Sequence, residues 1–196
     1  MSLFENFVYK NGEIVDNSWV KWFHFGVPDK EGERRNIIRA KLAELRHCEE
    51  CTALSGCYFV KSLLPKNKGE GKGLLHDSCH CYLNNREKPK FTASCDIRKF
   101  ENYVFSDKYK DNGKIQLFKS LGFKVSDSNL LKQEFERQAE REYKSGNYTL
   151  GKLDRYGQRI NISIIITNKN GRQVEFVSGW MIHPLGLITC NTPLGG

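Results

Sequence analysis

Three consecutive segments decide the fold: QRINISIIIT (158–167), NKNGR (168–172) and QVEFVSGWMI (173–182). In the first, isoleucine recurs at Ile160, Ile162, Ile164 and Ile166, the two-residue period of a strand with one buried face. Asn170-Gly171 is the tip of a hairpin. The returning segment turns Val174, Phe176, Trp180 and Ile182 to the same interior. Downstream, Pro184-Leu185-Gly186 turns the chain into LITCNT (187–192). Upstream, TLGKLDR (149–155) leads into the hairpin through Tyr156-Gly157.

Helices precede these strands. SDSNLLKQEFERQAEREYKSG (126–146) carries Leu131, Phe135, Ala139 and Tyr143 at a spacing of four, a buried helical stripe. Ser126 or Ser128 caps it and Gly146 ends it. GKIQLFKSLGF (113–123) is a shorter helix stopped by Gly122. CDIRKFENYVF (95–105) is a third, with Ile97, Phe100 and Val104 on one face. Helices followed by an antiparallel meander define an α+β domain over 89–196. LNNREKPKFTAS (83–94) reads as the polar linker before it, with the boundary near residue 88.

Residues 1–88 form a different kind of region. The start is rich in aromatics (Phe4, Phe7, Tyr9, Trp19, Trp22, Phe23, Phe25) and reads as a small packed unit or a surface that docks elsewhere. RRNIIRAKLAELRHC (34–48) is an amphipathic helix that delivers Cys48 at its end. Six of the seven cysteines fall between Cys48 and Cys95. Cys48 and Cys51 make a CxxC pair, and His76, Cys79 and Cys81 make HxxCxC. Zinc takes four thiolate or imidazole ligands in a tetrahedron, and each of these spacings lets one turn supply two. The expected ligands are Cys48, Cys51, His76 and Cys79, with Cys81 the main substitute. Four protein ligands leave no position for a substrate water, so this Zn2+ is structural. The plainer alternative is a set of small buried thiols, the reading adopted for Cys57, Cys95 and Cys190.

The chain of 196 residues has a net charge of +8 and a pI near 9.1, a balance that suits an acidic partner such as nucleic acid. No apolar run is long enough to cross a bilayer, and the first residues lack a secretory pattern. The expectation is a cytoplasmic protein with no membrane partner, where disulfides are uncommon.

The segment from about residue 40 to 83, with CxxC, LSGCYF and HxxCHC, resembles the cysteine/histidine segment of phage Mu protein F-like head-morphogenesis proteins. Asp77 stands where that pattern usually has proline, and His80 where it has arginine. The stretch from Gly113 to Thr192 is similar to an uncharacterised bacterial and phage domain family found behind Mu F-like segments and in toxin-like proteins. These resemblances imply a phage- or prophage-associated accessory protein acting by binding or assembly, with a phage structural protein or nucleic acid as partner.

The competing expectation is a metal-independent, toxin-like ribonuclease in the C-terminal domain. Such an enzyme needs a general acid, a general base and a cation on the phosphate. His183, Arg172, Lys114 and Thr189 are the candidates, and the first three also have an ordinary reading. His183 sits at a strand end before proline, Arg172 beside a hairpin tip and Lys114 at a helix start. A third expectation places Lys61, Lys66, Lys68 and Lys72 against nucleic-acid phosphates. The chain has no P-loop, dinucleotide glycine fingerprint or HExxH.

Overall fold

The computed structural model describes residues 9–10, 13–14, 19–24, 49–65, 74–76, 81–84, 90–106 and 113–194. They divide into two compact units, the first drawn from 1–90 with 152–158 and 182–186, the second from 91–151, 159–181 and 187–196. The helix expected over 34–48 and the lysines at 66, 68 and 72 lie outside the described residues. Among the described residues no helix is long and apolar enough to cross a membrane.

In the first unit, β1 (Tyr9–Lys10) and β2 (Glu13–Ile14) pair antiparallel. β3 (Trp19–His24) is followed by α1 (Glu49–Leu54), β4 (Tyr58–Val60) and β5 (Cys81–Asn84). β3 is the centre of a three-stranded sheet, antiparallel to both β4 and β5. Val20, Lys21 and Trp22 are all buried, so both faces of β3 are covered. The Trp22 ring meets Phe59 edge-on at 6.0 Å, and the Lys21 ammonium lies 5.6 Å from the Tyr58 ring. Gly56 turns the chain out of α1 with φ +82°, a conformation that favours glycine. An added Cβ there would stand 3.1 Å from the Pro184 Cβ.

The second unit contains most of a five-stranded sheet of order β6-β10-β9-β8-β7. Its strands are β6 (Thr92–Ser94), β7 (Thr149–Asp154), β8 (Gly157–Thr167), β9 (Gln173–Ile182) and β10 (Leu187–Thr192). β8 and β9 form the expected hairpin, with Ile160 opposite Trp180, Ile164 opposite Phe176 and Ile166 opposite Val174. The four alternating isoleucines are 0–3% exposed. At the tip, Gly171 takes φ +81° and the Asn168 side chain accepts the N–H groups of Asn170 and Arg172. Four residues join β9 to β10, too few for a parallel crossover, and Leu185 and Gly186 there both have positive φ.

Two helices accompany the sheet, α2 (Gly113–Ser120) and α3 (Ser128–Ser145). Leu131, Phe135, Ala139 and Tyr143 are at most 1% exposed, as the fourfold spacing predicts. Phe135 meets Phe100 edge-on at 5.3 Å, and Phe118 stacks on Phe176 at 5.3 Å. Gly146 closes α3 in the left-handed conformation. Phe100–Val104 forms one π-type turn, closed by the Phe105 N–H on the Phe100 carbonyl at 2.9 Å. Gln138, buried on α3, donates to the Ile165 carbonyl at 2.6 Å and accepts the Ile165 N–H at 2.9 Å. β8 outruns β7, eleven residues to six, and this carboxamide takes up ladder groups of the longer strand.

Two expectations need correction. The sheet is α+β in setting but not a purely antiparallel meander, because β6 pairs parallel with β10. The residues of β6 had read as linker: three residues with only Ala93 buried carry no periodic signal. The start of α3 is capped neither by Ser126 nor by Ser128, for Asp127 is the N-cap residue. A 3₁₀ turn over Val125–Asp127 leads into the helix, and Ser128 turns back to donate to the Val125 carbonyl at 2.7 Å.

Candidate metal centre

α1 carries Cys51 on its buried side, and the chain returns at 74–76 to bring His76 beside it. Cys51 Sγ and His76 Nε2 are 3.3 Å apart across 25 residues of sequence. A tetrahedral zinc with sulfur at about 2.3 Å and nitrogen at about 2.0–2.1 Å would hold such a pair about 3.6 Å apart. The observed separation is thus close to one edge of a zinc tetrahedron. A thiol–imidazole hydrogen bond satisfies the same geometry, so the contact fits a metal without requiring one.

Cys81 opens β5 opposite His24 in the β3–β5 register and is half-buried. Cys48 and Cys79 lie outside the described residues. Of the five expected ligands the fold therefore brings Cys51 and His76 together. No cluster of three metal-type side chains occurs among the described residues. Cys57, next to this region, belongs to the interior: it is 0% exposed, its Sγ donates to the Ala53 carbonyl at 3.6 Å, and burial pushes its thiol far up. The HxxCxC spacing singled out His76, and it is His76 that lies beside Cys51.

The residues considered for ribonuclease chemistry are distributed along the chain's elements. Arg172 immediately precedes β9 and His183 immediately follows it, so ten strand residues, at about 3.3 Å each, lie between them. His183 is half-buried, and burial lowers its pKa below the usual histidine value, favouring the neutral ring. Lys114 is in the first turn of α2. Thr189 is in β10, opposite Ser94 of β6.

A cleft that the sequence reading did not single out lies in the second unit. It measures about 410 Å3 and includes Asp96, Arg98, Lys99, Tyr103 and Asn191 in its lining. Arg98 donates to both Asp96 oxygens, from Nε at 3.0 and 2.9 Å, and its guanidinium holds the Asp96 carboxyl down at about 2. Lys99 Nζ donates to the Asn191 carbonyl at 2.8 Å. The signal in the sequence was the charge cluster in CDIRK, which reads as an ordinary helix start until the last strand is placed beside it.

The second unit is thus an α+β domain in which helices accompany a mixed sheet. Residues 85–190, more than half of the chain, match the family described as a domain of unknown function, DUF6883, and the chain belongs to that family. No curated protein and no solved structure matches the chain.

Proposed function

We propose that this is a phage- or prophage-associated accessory protein that acts by binding or assembly, with its N-terminal unit held by a structural zinc ion. The observation that carries the zinc reading is the 3.3 Å approach of Cys51 and His76, two ligands named by their spacing alone. Cys48 and Cys79 complete the proposed set, with Cys81 as the substitute. When bound, the ion cross-links α1 to the segment at 74–76 and so stabilises a small core. The Mu F-like resemblance of residues 40–83 supports the phage setting. The charge of +8 supports an acidic partner, either nucleic acid or an acidic protein surface.

The ribonuclease reading has less support. A phosphate-bound cation must sit beside the acid and base, whereas Arg172 and His183 are at opposite ends of a ten-residue strand.

Metal content of the purified full chain tests the proposal. One zinc per chain is expected, falling sharply in both Cys51→Ser and His76→Ala and unchanged in Cys57→Ala. Substitution with cobalt should give thiolate charge-transfer absorption that Cys51→Ser weakens. A metal-free chain with the same fold would overturn the zinc reading. Cellular RNA should stay intact when the chain is expressed. RNA degradation abolished by His183→Ala would replace binding with catalysis.

A further inference from the structure

β6 and β10 run parallel with Ser94 opposite Thr189, so Cys95 and Cys190 are the next residues along the two chains. Neighbouring strands lie about 4.8 Å apart, within the Cα separation of about 4.4–6.8 Å that a disulfide spans. Both side chains are buried, at 1% and 6% exposure, and Cys95 Sγ donates to the Asp96 carbonyl at 3.9 Å. The backbone is held on each side. The Cys95 N–H donates to Glu136 Oε1 at 2.8 Å, and Lys99 Nζ grips the carbonyl of Asn191, beside Cys190, at 2.8 Å. The contact with Cys95 and burial push the Cys190 thiol far above its ordinary range.

The residues that follow the two cysteines, Asp96 and Asn191, both line the 410 Å3 cleft, together with Arg98 and Lys99. A cleft of this size admits a small molecule. Arg98 and Lys99 set against Asp96 leave its lining with one net positive charge, which suits a small anion.

We propose that Cys95 and Cys190 are a dithiol–disulfide couple that staples the edge strand β6 to β10, with a small anionic disulfide of the glutathione type as oxidant. The Cys95 thiolate attacks one sulfur of the oxidant, forming a mixed disulfide and releasing one glutathione thiolate, which takes up the proton Cys95 lost. Cys190 then attacks the Cys95 sulfur, giving up its proton and expelling the second glutathione. Two protein thiols become one disulfide, and one glutathione disulfide becomes two thiols. β6 is three residues long and paired on one side, so it is the strand that gains most from a covalent tie.

The test uses the full, zinc-loaded chain, incubated with glutathione disulfide, digested without reduction and mapped by mass spectrometry. The expected result is a linked peptide containing Cys95 and Cys190, lighter by two hydrogens than the reduced pair. The oxidised chain should melt on the order of 10 °C higher, because the bond closes a long loop in the unfolded state. Dithiothreitol should reverse the rise. Cys190→Ala, with its fold checked by circular dichroism, should show no rise. In the wild-type chain, a stable glutathione adduct without the link, or a link that lowers the melting temperature, would overturn the proposal independently of that variant. So would linkage spread evenly over Cys51, Cys57 and Cys81.

Discussion

The sheet around Trp22 and the sheet around Trp180 each bury an indole completely, but they treat its polar N–H differently. Trp180 Nε1 donates to Ser178, two residues earlier on the same strand. Trp22 Nε1 is buried without a hydrogen-bond partner among the described residues. The C-terminal interior is supplied with partners by its own periodic sequence. Its isoleucines face Trp180 and Phe176 across one hairpin, and the Phe100, Phe118 and Phe135 rings pack together. The N-terminal sheet has strands of six, three and four residues, and the chain between β3 and β5 includes the Cys51–His76 contact. Among the described residues this core is small, and small folds depend on staples. The difference sets a region stabilised by burial beside one for which we propose a metal cross-link.

Chelation should sharpen that difference most. Structural zinc supplies on the order of 10 kcal/mol to small modules. A chelator is therefore expected to remove hydrogen-exchange protection from Trp22 and Cys57, whose backbones pair directly, while Ile160–Ile166 keep theirs. Equal loss in both regions, or none in either, would break the comparison.

Phe135→Ala comes next. The ring is fully buried and touches Phe100 and Phe118, so its loss should cost about 3–5 kcal/mol in urea denaturation. Zinc content should be unchanged.

Gln138→Ala should cost about 2 kcal/mol by the same measurement, since it strands both backbone groups of Ile165. A neutral result would show that water replaces the carboxamide.

The smallest effect concerns pH. Burial lowers the His183 pKa below 6.5, so the unfolded chain binds this proton more readily than the folded one. The associated stability is complete above the unfolded value and is lost as pH falls through it towards the lowered folded value. The melting temperature should decline slightly between about pH 7.5 and 5.5, and less so in His183→Gln. A wild-type melting temperature that instead rose on acidification would mean that folding gives the ring an anionic partner.

Local periodicity made much of the C-terminal unit legible. The isoleucine alternation, the Asn170-Gly171 tip, the stripe on α3 and its closing Gly146 each depend on residues close in sequence. β6 was missed because its partner is some ninety residues away and its own three residues carry no pattern. The N-cap was misassigned because serine, aspartate and serine stand in succession at 126–128, and only the preceding 3₁₀ turn selects Asp127. At the candidate metal centre, spacing nominated the ligands, but the contact between Cys51 and His76 comes from chain return.

By itself the sequence determined the α+β class, the faces of its long helix and hairpin, and the types of side chain available for a metal. Those follow from short-range stereochemistry: the two-residue period of a strand, the 3.6-residue turn of a helix and the left-handed preference of glycine. Tertiary structure decided that the sheet is mixed, that Gln138 completes a strand, that Cys51 meets His76 and that Cys95 lies beside Cys190. Each of these joins residues at least 25 positions apart. Such contacts are selected by the packing of the whole chain, which no local pattern encodes.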